Sequence, residues 1–246
     1  MEIQIQVQGK LYKVNTAESF DCSIPVASSG LTAWGVAPAS IGPHREGDFI
    51  GSVKQGSAVN FNDVYFNPHA HGTHTECLGH ITKKVYSIQY ALPLPLIPMR
   101  LITAKPRQVD GDNVIDLDQI KAALPIIDVS ALMLRTRHTC SSNLNWSGTN
   151  PPYLYYEAAQ WLADSGIDHL LLDLPSVDRE QDGGLLAAHK AFWGLPEAPR
   201  MHATITELIS VPDELEDGLY LLNLQVAALD NDASPSRPLL FRLIPC

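Results

Sequence analysis

Strand-length apolar runs at residues 131–134, 169–172, 219–224 and 239–243 carry the core of this chain, and helical stretches stand between such runs only in its second half. A doubly wound sheet needs strand and helix to alternate throughout, so that architecture is disfavoured. The expected fold is a mixed α/β or α+β domain spanning residues 1–246, with a mixed or barrel-like sheet and flanking helices. Ile3, Ile5 and Val7 alternate with polar residues before Gln8-Gly9-Lys10, which predicts an opening hairpin. Leu154, Ala158, Trp161 and Leu162 form one stripe of a helix over 153–163, with Gly166 placed to stop it. Shorter helices are expected over 117–124 and 185–192. Segments 28–56, 92–98 and 139–152, rich in Gly, Pro or polar residues, read as loops.

Charge narrows the partners. With 17 Lys+Arg against 27 Asp+Glu, the net charge of −10 disfavours nucleic acid and anionic lipid surfaces. No run approaches the roughly 20 apolar residues that span a bilayer, so no membrane is expected. The first residues lack the basic and apolar regions of a signal peptide, and Cys22, Cys77, Cys140 and Cys246 form no C-x-x-C pair. The expectation is reduced thiols in a cytoplasmic protein whose partner is a small molecule.

Chemistry concentrates at residues 69–80, His-Ala-His-Gly-Thr-His-Thr-Glu-Cys-Leu-Gly-His, which hold four of the nine histidines. Imidazole is the commonest ligand of zinc and related ions, and a carboxylate among imidazoles completes a shell for Zn²⁺ or Mn²⁺. On an extended strand His74 and Glu76 point the same way, whereas Cys77 faces opposite. His80 shares their parity and is expected to curl over the site beyond Gly79. His69 and His71 have the other parity, and Gly72 can supply the bend that brings one of them round. The residues leave open which one.

Two resemblances follow from this segment. His69-x-His71 followed by Glu76 resembles the first metal motif of cupins, which implies a metal oxygenase. The fuller resemblance is to the cyclase family that includes bacterial kynurenine formamidases and isatin hydrolases. Its mark is His-x-Gly-Thr-His-x-Asp-x-Pro-x-His, and this chain reads Ala70-His71-Gly72-Thr73-His74-Thr75-Glu76-Cys77-Leu78-Gly79-His80. Leu132–Thr136 resembles the family's strand ending in Arg-Thr, Ala158–Leu162 its following helix, and residues 173–178 its Asp-x-Pro-Ser-Val-Asp segment. The family's first His aligns with Ala70, its Asp with Glu76 and its Pro with Leu78.

The resemblance implies a swivelling β/β/α fold and a homo-oligomer, dimer or tetramer. It implies His69 or His71, His74 and Glu76 as ligands of one or two divalent ions, with His189 and Glu207 completing the set. The implied reaction is hydrolysis of an amide, lactam or ester carbonyl, with His80 as general acid/base. Trp34, Phe66, Trp146 and Trp193 are candidates to line a pocket, and Arg135 and Asp178 to support the site from outside. The non-enzymatic alternative is a metal-binding scaffold that kept the fold.

Overall fold

The computed structural model describes residues 1–92, 94–136 and 144–246. The hairpin pairs β1 (Glu2–Val7) with β2 (Lys10–Asn15), as expected. The remaining strands that matter for the site are β3 (Phe20–Asp21), β4 (His74–Cys77), β5 (Leu96–Thr103), β6 (Ala131–Arg135), β7 (His169–Leu172), β8 (Thr204–Glu207), β9 (Gly218–Asn223), β10 (Ala233–Pro235) and β11 (Leu239–Arg242). They form one nine-stranded mixed sheet in the order β10-β4-β8-β7-β6-β5-β9-β11-β3. The centre, β8-β7-β6-β5, is parallel, and β4 joins it antiparallel to β8. The architecture is mixed α+β.

Period-2 alternation divides this sheet between two cores. Ile102, Leu132, Leu134, Leu170, Leu172 and Ile205 pack beneath the helices, while Met99, Leu101, Ala131, Met133 and Leu171 pack on the opposite face. Strands apolar on both faces belong in the middle of a parallel sheet, which explains the unbroken runs at β6 and β7. Burying each Leu or Met contributes roughly 1.5–3 kcal/mol.

The helices are α1 (Leu117–Ala123), α2 (Tyr156–Asp164) and α3 (Ala187–Phe192). Asp116 and Gln119 cap α1 reciprocally, each side chain accepting from the other's backbone N–H. The expected helix over 153–163 starts three residues later, because Tyr153–Leu154 pairs as a short parallel strand with Val114–Ile115. Gly166, at φ 86°, takes the left-handed conformation that ends α2, and its N–H reaches Ala163 O at 3.1 Å.

Two loop expectations need correction. Leu96, Ile97 and Pro98 of the 92–98 segment belong to β5, with Pro98 opposite Leu221, and Pro93 lies outside the described residues. Residues 28–56 include part of a projecting arm in which Ser40–Pro43 pairs with Asn62–Tyr65 and Arg45–Glu46 with Phe49–Ile50. The arm exposes Phe49, Val53, Phe61, Val64 and Tyr65. Of the third loop, residues 139–143 and with them Cys140 lie outside the described residues. Its Trp146 is buried with Ile24, Leu31, Ala33 and Leu208. Among the described residues no helix is long and apolar enough to cross a membrane.

Candidate metal centre

All four residues of strand β4 are buried, and two of them are His74 and Glu76. In the ladder His74 lies opposite Glu207 of β8, and Glu76 lies opposite Ile205. Directly opposed residues of an antiparallel pair share a face, so His74, Glu76 and Glu207 all project from the face that the helices cover. Cys77 points the other way and packs with Ile88 and Ala91. Spacing alone anticipated this division.

Helix α3 brings His189 onto the same face. Its Nε2 lies 3.0 Å from Glu76 Oε1 and 3.9 Å from Glu207 Oε1, and its Nδ1 lies 2.6 Å from Asp178 Oδ2. Asp178 also accepts the backbone N–H groups of Ala188 at 2.7 Å and His189 at 3.1 Å. One carboxylate thereby caps the first turn of α3 and holds the ring that this helix presents. Glu207 is oriented by the N–H of Val177 at 3.0 Å.

The turn before β4 decides between the two odd-parity histidines. His69 Nδ1 lies 3.0 Å from Glu76 Oε2, and its Nε2 lies 2.9 Å from Asp232 Oδ2. His71, expected as an alternative ligand, is not brought to the cluster. Its Nδ1 accepts from Asn67 N–H and its Nε2 donates to Ala37 O, both at 2.8 Å, so neither ring nitrogen is free for an ion. Gly72 permits this path by its close approach, since a Cβ there would lie 2.7 Å from Ile24 O.

Beyond β4, residues 78–81 form a single 3₁₀ turn that swings His80 over the site. Its Nε2 comes to 3.9 Å from Glu76 Oε2, and its Nδ1 to 3.3 Å from Asp232 Oδ2. His80 stacks on His69 with ring centroids 4.1 Å apart. Asp232 is the one member of the cluster that sequence reasoning missed. It lies in a polar turn more than 150 positions beyond His69, His74 and His80, and no local spacing connects it to them.

Electrostatics follow from this crowding of carboxylates and imidazoles. Burial alone lowers the pKa of His69, but the hydrogen bond to Asp232 and the adjacent Glu76 carboxylate outweigh it and raise the ring to about 10. His189 is likewise raised to about 10, since Asp178 and Glu76 outweigh its burial. Burial pushes Glu76 up, yet His80, His189 and His69 hold it well below the ordinary carboxylate range. Without a metal, protons on His69 and His189 offset the carboxylates.

A divalent cation fits this donor set. Among the described residues, His74 Nε2 and Glu76 Oε2 are buried without a hydrogen bond. Their nearest charged neighbours are Glu207 Oε2 at 3.4 Å and His69 Nδ1 at 3.0 Å, contacts that bring charges together without hydrogen-bond geometry. Unpaired buried polar atoms are costly, and aiming them at one point is the usual preparation for an ion. Three overlapping groups have ligand atoms close enough to share an ion: His69 with His74 and Glu76; His69 with His80 and Asp232; and Glu76 with His80 and His189. Zinc and manganese both suit such mixed imidazole and carboxylate donors.

The cluster opens into a pocket of about 360 Å³ lined by Trp34, His69, His80, Leu186, His189 and Glu207 among others. Trp34 is tied to the ligand loop, its Nε1–H donating to His69 O at 3.1 Å. Trp146 and Trp193 are core residues instead, and Trp193 packs against the His189 ring. Arg135 lies apart from the cluster, bound to Thr103 Oγ1, Leu215 O and Asp217 Oδ1.

A nine-stranded α+β sheet bearing buried histidines and carboxylates on its helix-covered face defines a protein built around a candidate metal site. The family model described as "Putative cyclase" matches residues 20–179, more than half of the chain, and the chain belongs to that family. The kynurenine formamidase of Bacillus cytotoxicus is 28% identical over 191 residues, covering 76% of this chain and 82% of that protein. That of Bacillus cereus is 26% identical over 228 residues, covering 91% and 97%. Among solved structures, a predicted metal-dependent hydrolase from Bacillus stearothermophilus superposes with a TM-score of 0.66 at 19% identity, covering 91% of this chain and 98% of that one. An isatin hydrolase bound to the product analogue thioisatinate superposes at 0.63, also at 19% identity, covering 93% of each chain. These structural likenesses establish the fold. Neither they nor the curated relatives favour a cupin-type oxygenase.

Proposed function

We propose that the chain is a metal-dependent hydrolase that opens an amide, lactam or ester carbonyl of a small substrate, in the manner of a kynurenine formamidase. One observation carries this reading: His69, His74, Glu76, His189 and Glu207 converge from four separate elements at a pocket, with two buried ligand atoms unpaired. These residues would hold a Zn²⁺ or Mn²⁺ ion, which would supply a Lewis acid for the carbonyl oxygen and lower the pKa of a bound water to about 7.

The chain's own residues perform the rest. Asp178 fixes the His189 ring and the Val177 N–H fixes the Glu207 carboxylate, so the site is organised before substrate arrives. His80, with 31% of its side chain exposed at the pocket, turns Nε2 toward the site. It takes the proton of the attacking water as that oxygen bonds to the carbonyl carbon, and returns it to the leaving nitrogen or oxygen as the single bond between that atom and the carbonyl carbon breaks, so no further reactant is consumed. Trp34 and Leu186 give the pocket an apolar wall suited to a flat face of a small molecule.

We propose further that the chain forms a homo-oligomer. The exposed apolar residues of the 40–65 arm support this reading, and native mass tests it. A cytoplasmic location is supported by the burial of the Cys22 and Cys77 thiols, neither of which forms a disulfide.

The functional test is metal analysis of the purified protein followed by an amide, lactam and ester panel with Zn²⁺ or Mn²⁺ added. Bound metal, turnover of at least one substrate and loss of both in His74→Ala are expected. Metal without turnover on any substrate favours the scaffold, and equal metal in wild type and His74→Ala removes the site assignment.

A further inference from the structure

Asp232 reaches the cluster from the turn one residue before β10. Its single oxygen Oδ2 lies 2.9 Å from His69 Nε2 and 3.3 Å from His80 Nδ1. Each stacked ring then presents its other nitrogen to Glu76 Oε2, His69 through Nδ1 at 3.0 Å and His80 through Nε2 at 3.9 Å. A carboxylate only accepts, so both rings must donate to it. In its neutral form each imidazole has one N–H, and the hydrogen bond places that proton on the Asp232 side. The lone pairs are left on His69 Nδ1 and His80 Nε2, facing the site.

The carboxylate is itself held in place. Asp232 O accepts from Cys77 N–H at 3.0 Å, and Asn231 O accepts from Ile88 N–H at 2.8 Å. Strand β10 pairs along β4, with Ala233 opposite Glu76 and Pro235 opposite His74. Gly79 makes room for the turn, because a Cβ there would lie 2.3 Å from Tyr86 O and 3.2 Å from Asp232 Cβ. The strand that bears the ligands thus also fixes the residue that aims them.

We propose that Asp232 is a positioning residue that fixes the ring orientation and proton position of His69 and His80 together. It thereby allows His69 to serve as a ligand beside Ala70, whose methyl side chain has no donor atom. This rests on the metal-site reading above. Carboxylates that orient a ligating histidine typically account for roughly 10- to 100-fold in metal affinity or activity.

The test uses Zn²⁺ alone, titrated in competition with a chelator into wild type, Asp232→Ala, His69→Ala and the double variant. Asp232→Ala should weaken Zn²⁺ binding roughly 10- to 100-fold, yet cost less than about twofold when His69 is already Ala. Asp232→Asn, which keeps an acceptor oxygen, should recover part of the loss and serves if the alanine variant does not fold. On a substrate identified by the panel, Zn²⁺-saturated Asp232→Ala should lose about tenfold or more in kcat with little change in KM, through His80. Wild-type affinity in Asp232→Ala overturns the proposal. So do fully additive losses in the double variant, which make Asp232 a ligand or a structural residue independent of His69. A wild type that binds no Zn²⁺ removes the metal-site reading itself, and the proposal falls with it.

Discussion

Replacing Asp178 by Asn tests how the outer residues build the site. The carboxylate accepts three N–H groups, from Ala188 N, His189 N and His189 Nδ1. An amide has one acceptor oxygen, so in the variant its NH₂ faces the ring or one of the backbone donors. If Nδ1 accepts from that NH₂, the imidazole proton moves to Nε2, the nitrogen 3.0 Å from Glu76 Oε1 that must offer a lone pair to an ion. Metal affinity should fall roughly 10- to 100-fold. A backbone N–H left without an acceptor costs a further ~1–3 kcal/mol of stability in the metal-free protein. Urea unfolding with and without Zn²⁺ reads both effects. At a free Zn²⁺ concentration 100 times the wild-type Kd, the ion stabilises wild type by about 2.7 kcal/mol. A variant with 100-fold weaker binding keeps only about 0.4 kcal/mol, the value of RT ln 2. Equal Zn²⁺ stabilisation in the two proteins would refute the argument that Asp178 sets the His189 proton.

His69→Ala should lower metal affinity at least tenfold, whereas His71→Ala should leave it within about twofold and cost ~1–3 kcal/mol of stability by orphaning the Asn67 N–H and Ala37 carbonyl; chelator competition and denaturant titration check both. His80→Ala should retain metal and lose roughly 10²- to 10⁴-fold in kcat, and metal lost together with turnover would make His80 a ligand. His169 is buried beside Thr204, and burial lowers its pKa to about 4, so the unfolded chain takes up a proton before the native one does. Stability attributable to this neutral ring is therefore whole above pH ~6.5 and declines as pH falls toward about 4, by ~3 kcal/mol in all; His169→Gln should flatten that limb of the unfolding curve, and an unchanged limb rejects the assignment.

Period and spacing were enough for whatever depends on neighbours along the chain. The two-residue spacing of His74 and Glu76 put both on one face of a strand, and the same rule turned Cys77 away. The apolar run 169–172 is β7 residue for residue, because a strand buried on both faces leaves an unbroken apolar record. The family motifs legible in the chain identified His189 and Glu207 as companions, and these lie beside Glu76 and His74. Tertiary structure decided the rest. His69 and His71 have equal parity and equal chemistry, so only the path of the turn over Ile24, and the backbone groups that occupy the His71 ring, separate them. Residues 92–98 looked like a loop because proline lacks an N–H, yet strand β9 pairs alongside and carries Pro98 into the sheet. Asp178 is legible only as the end of the Asp-x-Pro-Ser-Val-Asp segment, and Asp232 has no local signature at all: their roles arise where α3 and the turn before β10 meet β4, and contacts between distant segments leave no period in a sequence for local reading to find.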